Sequence, residues 1–178
     1  MIRLLKLTAA SALLLGCAAC ATIVPPPQAS AAAQSTKLTT KLTASTPSYD
    51  LALDLSGPQK MYSTADYHKL QPSTGEVLIS GKMAAASQLP PGNALYHLDL
   101  HVLHVFSDTP IKGASVSIEI TSPALKAPIH LPIAVVQSAR PGSNEWLYGN
   151  NVALAPGNYT VNVVVNAERT TFHLAVVK

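Results

Sequence analysis

A chain of 178 residues with 48% apolar and 12% charged side chains has too little charge for a charge-driven disordered polymer and enough apolar mass for one folded core. Its formal charge of +3 nearly vanishes once Arg3 and Lys6 are set aside with an N-terminal export segment: ten bases, two fewer than the twelve of the whole chain, then face nine acids. Without a basic stripe or Arg clusters interleaved with aromatics, nucleic acid is not an expected partner.

The first six residues carry two bases, and residues 7–15 form an apolar run too short to span a bilayer, the pattern of a signal peptide. Leu14-Leu15-Gly16-Cys17 follows, and it resembles the lipobox of bacterial lipoproteins. The resemblance implies cleavage before Cys17, lipidation of its thiol and a membrane anchor, with each buried acyl CH₂ contributing about 0.8 kcal/mol. The alternative is an ordinary secreted protein cut near Ala29-Ser30-Ala31. Both cysteines, Cys17 and Cys20, lie at the end of this segment, so the rest of the chain has no thiol for a disulfide, a thiolate metal site or a Cys nucleophile.

Residues 17–48 are rich in Pro, Ala, Ser and Thr, with Pro25-Pro26-Pro27 favouring extended geometry. They read as a lipidated N-terminus and linker, and residues 49–178 as the folded domain. From Tyr49 the apolar period becomes two: Tyr49, Leu51, Leu53 and Leu55 alternate with Asp50, Ala52 and Asp54, predicting a half-buried strand. Further strands are expected over residues 76–83, 95–106, 114–121, 129–136, 158–165 and 170–177, separated by Pro/Gly turn signals such as Pro90-Pro91-Gly92 and Arg140-Pro141-Gly142. About seven short strands without a crossover-helix period predict an all-β, antiparallel, immunoglobulin-like sandwich. Pro156-Gly157-Asn158-Tyr159 fits a tyrosine corner, which gives Tyr159 a structural role.

No nucleophile elbow, phosphate-cradling glycine loop or His-Glu-x-x-His helix is present, so no enzyme is expected. Asp50 and Asp54 share the polar face of their strand, with nothing to desolvate them. The richest constellation is Tyr96-His97-Leu98-Asp99-Leu100-His101-Val102-Leu103-His104. Alternation sets His97, Asp99 and His101 on one face, about 7 Å between successive members, a donor set suited to a divalent transition metal. The competing reading makes them the solvent side of an amphipathic strand. Met83, at the end of the preceding strand, offers a soft thioether that would bias a site toward copper, or simply a packing side chain.

Three stretches carry a family resemblance: Gly75-Glu76-Val77-Leu78-Ile79-Ser80-Gly81-Lys82-Met83, His97-Leu98-Asp99 with His101, and Tyr148-Gly149-Asn150-Asn151-Val152 running on to Pro156-Gly157-Asn158-Tyr159. Together they resemble the periplasmic iron-transport-associated family of small immunoglobulin-like sandwiches found beside iron permeases. The resemblance implies copper or iron binding through His and Met side chains. The chain departs from the family pattern at Leu147, where a ligand His precedes Tyr-Gly, and in residues 131–136, which lack the family's Met.

The resulting expectation is a non-enzymatic, periplasm-facing lipoprotein of the bacterial cell envelope, anchored through Cys17 in the outer rather than the inner membrane. It binds copper or iron through His97, His101, Met83 and Asp99. Its partners are the membrane and an envelope protein or metal permease. The rival expectation is an interaction module on the same scaffold whose metal site has been lost.

Overall fold

The computed structural model describes residues 40–84 and 94–177. The export segment, Cys17 and most of the expected linker lie outside them. Among the described residues no helix is long and apolar enough to cross a membrane.

The described residues form eleven strands and one short helix: β1 (Thr40–Ser45), β2 (Tyr49–Ser56), β3 (Met61–Tyr62), α1 (Thr64–Leu70), β4 (Glu76–Gly81), β5 (Ala94–His104), β6 (Val116–Thr121), β7 (Ile129–Leu131), β8 (Ala134–Ser138), β9 (Leu147–Leu154), β10 (Gly157–Val165) and β11 (Glu168–Val176). They form a seven-stranded sheet in the order β1-β2-β5-β9-β8-β4-β3 and a four-stranded sheet in the order β11-β10-β6-β7. Every pairing is antiparallel except that of β3 with β4. The expected all-β sandwich is the fold observed.

Period-two alternation explains the core. Leu51, Leu53 and Leu55 of β2, Leu98, Leu100 and Val102 of β5, and Tyr148, Val152 and Leu154 of β9 are buried in one cluster with Ile118, Ile120, Val161, Val163, Phe172 and Leu174 of the smaller sheet. Each such side chain contributes roughly 1.5–3 kcal/mol of burial. Tyr159 makes the expected corner, its hydroxyl donating to the Ala155 carbonyl at 2.8 Å.

Three differences from the sequence expectation have physical causes. β1 lies inside the stretch read as linker and pairs along its whole length with β2; its Leu42 and Ala44 pack against the core, a signal too sparse to register beside the neighbouring Thr and Lys. The expected strand over residues 129–136 is two strands in different sheets, because Pro132 has no N–H to continue a ladder and the chain crosses between layers there. The stretch between β2 and β4 contains α1, whose start is capped by Ser63 accepting from the Asp66 N–H at 3.0 Å and whose end is a left-handed Gln71 ahead of Pro72.

The larger sheet is not flat. Glu76 on β4 is three strand positions from β5, which in a flat sheet means about 14 Å, yet its carboxylate lies 2.9 Å from His97 of β5. The chain from Gly57 to Glu76 therefore brings β3 and the start of β4 back over the outer face of β2, β5 and β9. A second small core of Ala134, Val136 and Leu147, packed with Met61 and Leu78, lies on this face.

Candidate metal centre

The curl buries a face that the alternation of β5 alone left open to either reading. His97 is fully buried and Asp99 is 8% exposed, so these two are not the solvent side of an amphipathic strand. The imidazole is held from both ends. Its Nδ1 lies 2.9 Å from Asn151 Oδ1, directly across the β5/β9 pairing. Asn151 is itself clamped to the covering segment: its Nδ2 donates to the Gln59 carbonyl at 3.1 Å and its Oδ1 accepts from the Gln59 N–H at 3.2 Å. The clamp fixes which end of the amide faces His97, so Nδ1 carries a hydrogen and donates it.

Nε2 is then aimed at two carboxylates. Asp99 Oδ1 is 2.7 Å away and Glu76 Oε2 is 2.9 Å away. One ring N–H cannot point at both, and it serves Asp99; Glu76 Oε2 is buried with no hydrogen-bond partner despite its proximity. Glu76 is 5% exposed, and its position is set by its own N–H donating to the Lys60 carbonyl at 2.9 Å. Asp99 finds its place because the residue opposite is Gly149. A Cβ at that position would collide with the Leu98 carbonyl and come within 2.6 Å of Asp99 Oδ1.

Electrostatics follow from this crowding. Burial works against a charged His97, but the hydrogen bond to Asp99 and the negative charges of Asp99 and Glu76 outweigh it and push the imidazole up to about 10. Burial pushes the Glu76 carboxyl above its ordinary value, and the negative charge of Asp99 adds to the effect while His97 opposes it. Without an ion, protons hold the cluster together.

One ligand atom from each of Glu76, His97 and Asp99 lies within 4.8 Å of the others, so the group can hold a metal ion. His97 and Asp99 are thus brought together as expected. His101 is on the same face but turns to Asp54 of β2, 3.1 Å from Nε2 to Oδ2, and lines a cleft of about 310 Å³ that reaches Glu76 and Asp99. Met83 is 43% exposed. Leu147, opposite His101, belongs to the small apolar core. Glu76 is the member that sequence reasoning missed; within its own strand it is one acid at the edge of an apolar run.

The stretch Tyr148 to Val152 carried part of the family resemblance, and its local roles are now explicit. The Tyr148 hydroxyl donates to the Ile111 carbonyl and accepts from the Ala114 N–H. Gly149 makes room for Asp99, buried Asn150 donates to the Lys82 and Pro132 carbonyls, and Asn151 orients His97. No family model, curated protein or solved structure matches the chain.

Proposed function

We propose that the protein is a non-enzymatic metal-binding module of the bacterial cell envelope that holds one divalent transition cation between Glu76, His97 and Asp99. The observation that carries this reading is the orphaned Glu76 Oε2. A buried carboxylate oxygen without a donor is costly, and a cation seated between it, Asp99 and His97 Nε2 relieves that cost. The Asn151 contact to the far ring nitrogen is the kind of outer support that fixes tautomer and ring orientation in metal-ligating histidines.

The donor set argues for the class of ion. Two carboxylate oxygens and one imidazole nitrogen, with no sulfur, favour Fe(II), Mn(II) or Zn(II) over Cu(I), which prefers thioether and thiolate. Of the two metals anticipated from the sequence, the proposal therefore retains iron and drops cuprous copper. Membership of the iron-transport-associated family, anchorage through Cys17 and delivery to a permease belong to the same proposal and rest on the sequence alone.

Calorimetric titration of the metal-free full chain with Fe(II), Zn(II) and Cu(I) tests it. Saturable binding of Fe(II) or Zn(II), abolished in His97→Ala and weakened in Glu76→Gln, is the expected result. Because His97 is buried, Glu76→Gln, which keeps shape and removes charge, guards against mere unfolding. No binding to the wild-type chain would leave the three groups as a buried ionic lock and favour the interaction-module reading.

A further inference from the structure

We infer that two copies of the chain pair through β11, edge to edge and antiparallel about a two-fold axis at Phe172, so that their four-stranded sheets join into one. The inference stands apart from the metal centre, whose residues belong to the larger sheet. Sheet edges invite pairing unless something blunts them, and three of the four edges here are blunted. β3 is two residues long, β7 is three and lies between Pro128 and Pro132, and β1 presents the exposed Lys41. β11 instead runs for nine residues in unbroken register with β10, and among the described residues it has no other neighbour in its sheet. From Thr170 to Val176 it carries no Lys, no Arg, no acid and no proline.

The turn at Asn166-Ala167 closes with Val165 opposite Glu168. The backbone groups of Glu168 and of every second residue after it therefore point to β10, while those of Arg169, Thr171, His173 and Ala175, all exposed, point away from it. A two-fold axis at Phe172 sets Thr171 opposite the partner's His173 and Arg169 opposite the partner's Ala175, which pairs the outward N–H and C=O of all four residues. The side chains agree with this register, and their agreement selects a second copy as the occupant of the edge. A ladder of hydrogen bonds crosses the sheet: Asn162 Nδ2 donates to Glu119 Oε1 at 3.4 Å, and Thr171 Oγ1 donates to Asn162 Oδ1 at 3.1 Å. It reaches the edge at a hydroxyl that can still accept, and the register brings the ring N–H of the partner's His173 across from it. Arg169 is the one cation of β11; it meets an alanine rather than its own mate, so no like charges face each other. On the core face the buried Phe172 meets the partner's Phe172, in the closer, non-hydrogen-bonded kind of pair.

Sedimentation equilibrium of the full chain, with amide hydrogen exchange on the same samples, tests the pairing. A reversible monomer–dimer equilibrium is expected, in which the amides of Arg169, Thr171, His173 and Ala175 exchange more slowly as the dimer fills. Ala175→Lys sets two cations opposite each other at both ends of the junction, and Ala175→Glu sets an anion opposite each Arg169. The first should weaken the dimer and the second tighten it, each roughly 2- to 30-fold, the worth of two cross-strand charge pairs. Combining Ala175→Lys with Arg169→Glu should restore the wild-type constant or better it. Both positions are exposed, so circular dichroism of these variants should match that of the wild-type chain. A chain that stays monomeric at every soluble concentration would overturn the inference and leave β11 to an extended segment of another protein. A dimer indifferent to all three variants, or one whose formation leaves the four edge amides exchanging freely, would overturn it too.

Discussion

Gly149 stands opposite Asp99 across two hydrogen-bonded strands, and the volume a side chain would take there is the volume the aspartate carboxylate occupies. Gly149→Ala should therefore displace Asp99 and strain the backbone against Leu98. A loss of about 1–3 kcal/mol is expected from overpacking, read in chemical denaturation, together with loss of metal binding.

Asn151 ties His97 to the covering segment. Replacing it with Ala removes the acceptor at Nδ1 and both bonds to Gln59, so metal affinity should fall about 10–100-fold, as is typical for outer supports of ligating histidines. Hydrogen exchange at residues 59–61 should accelerate in the same variant while the exchange of β10 and β11 stays unchanged.

The metal-free protein should lose stability as pH rises. The His97 imidazole binds its proton more tightly in the folded chain, at about 10, than in the unfolded chain at about 6.5. Its stabilisation is complete below the unfolded value and disappears as pH climbs toward 10. The raised Glu76 carboxyl acts in the same sense from its unfolded value of 4.5 upward. Thermal midpoints of the metal-free chain should thus decline between pH 6.5 and 10, with a shallower decline in His97→Gln.

Tyr159→Phe should cost about 1 kcal/mol by removing the hydroxyl bond to Ala155 and should leave metal affinity unchanged, since the corner belongs to the smaller sheet. Equal affinity with a lowered denaturation midpoint is the pattern to look for.

Cys17→Ser, made in cells, should release the chain from the membrane fraction if Cys17 carries the anchor. Fractionation followed by immunodetection reads the result directly.

The sandwich was legible because alternation in β2, β5, β10 and β11 is strong enough to show both face and boundary. So was the pairing of His97 with Asp99, since residues two apart on a strand must share a face. What alternation cannot convey is the shape of a sheet. The curl that brings β4 over β5 depends on the path of residues 57–75, and nothing local at Glu76 marks it as the neighbour of a histidine twenty-one positions later. The sheet switch at Pro132 was available in principle, because a proline without an N–H inside an apparent strand argues against continuity.

An ion seated between Glu76 and His97 would join two strands that the sheet itself holds three places apart, and so would act as a cross-link. Residues 40–84 and 94–177 contain no cysteine, so no disulfide among them restricts their unfolded states. A bound cation would fill that role reversibly, favouring the folded chain where the metal is plentiful and leaving it easier to open, and to clear, where the metal is scarce.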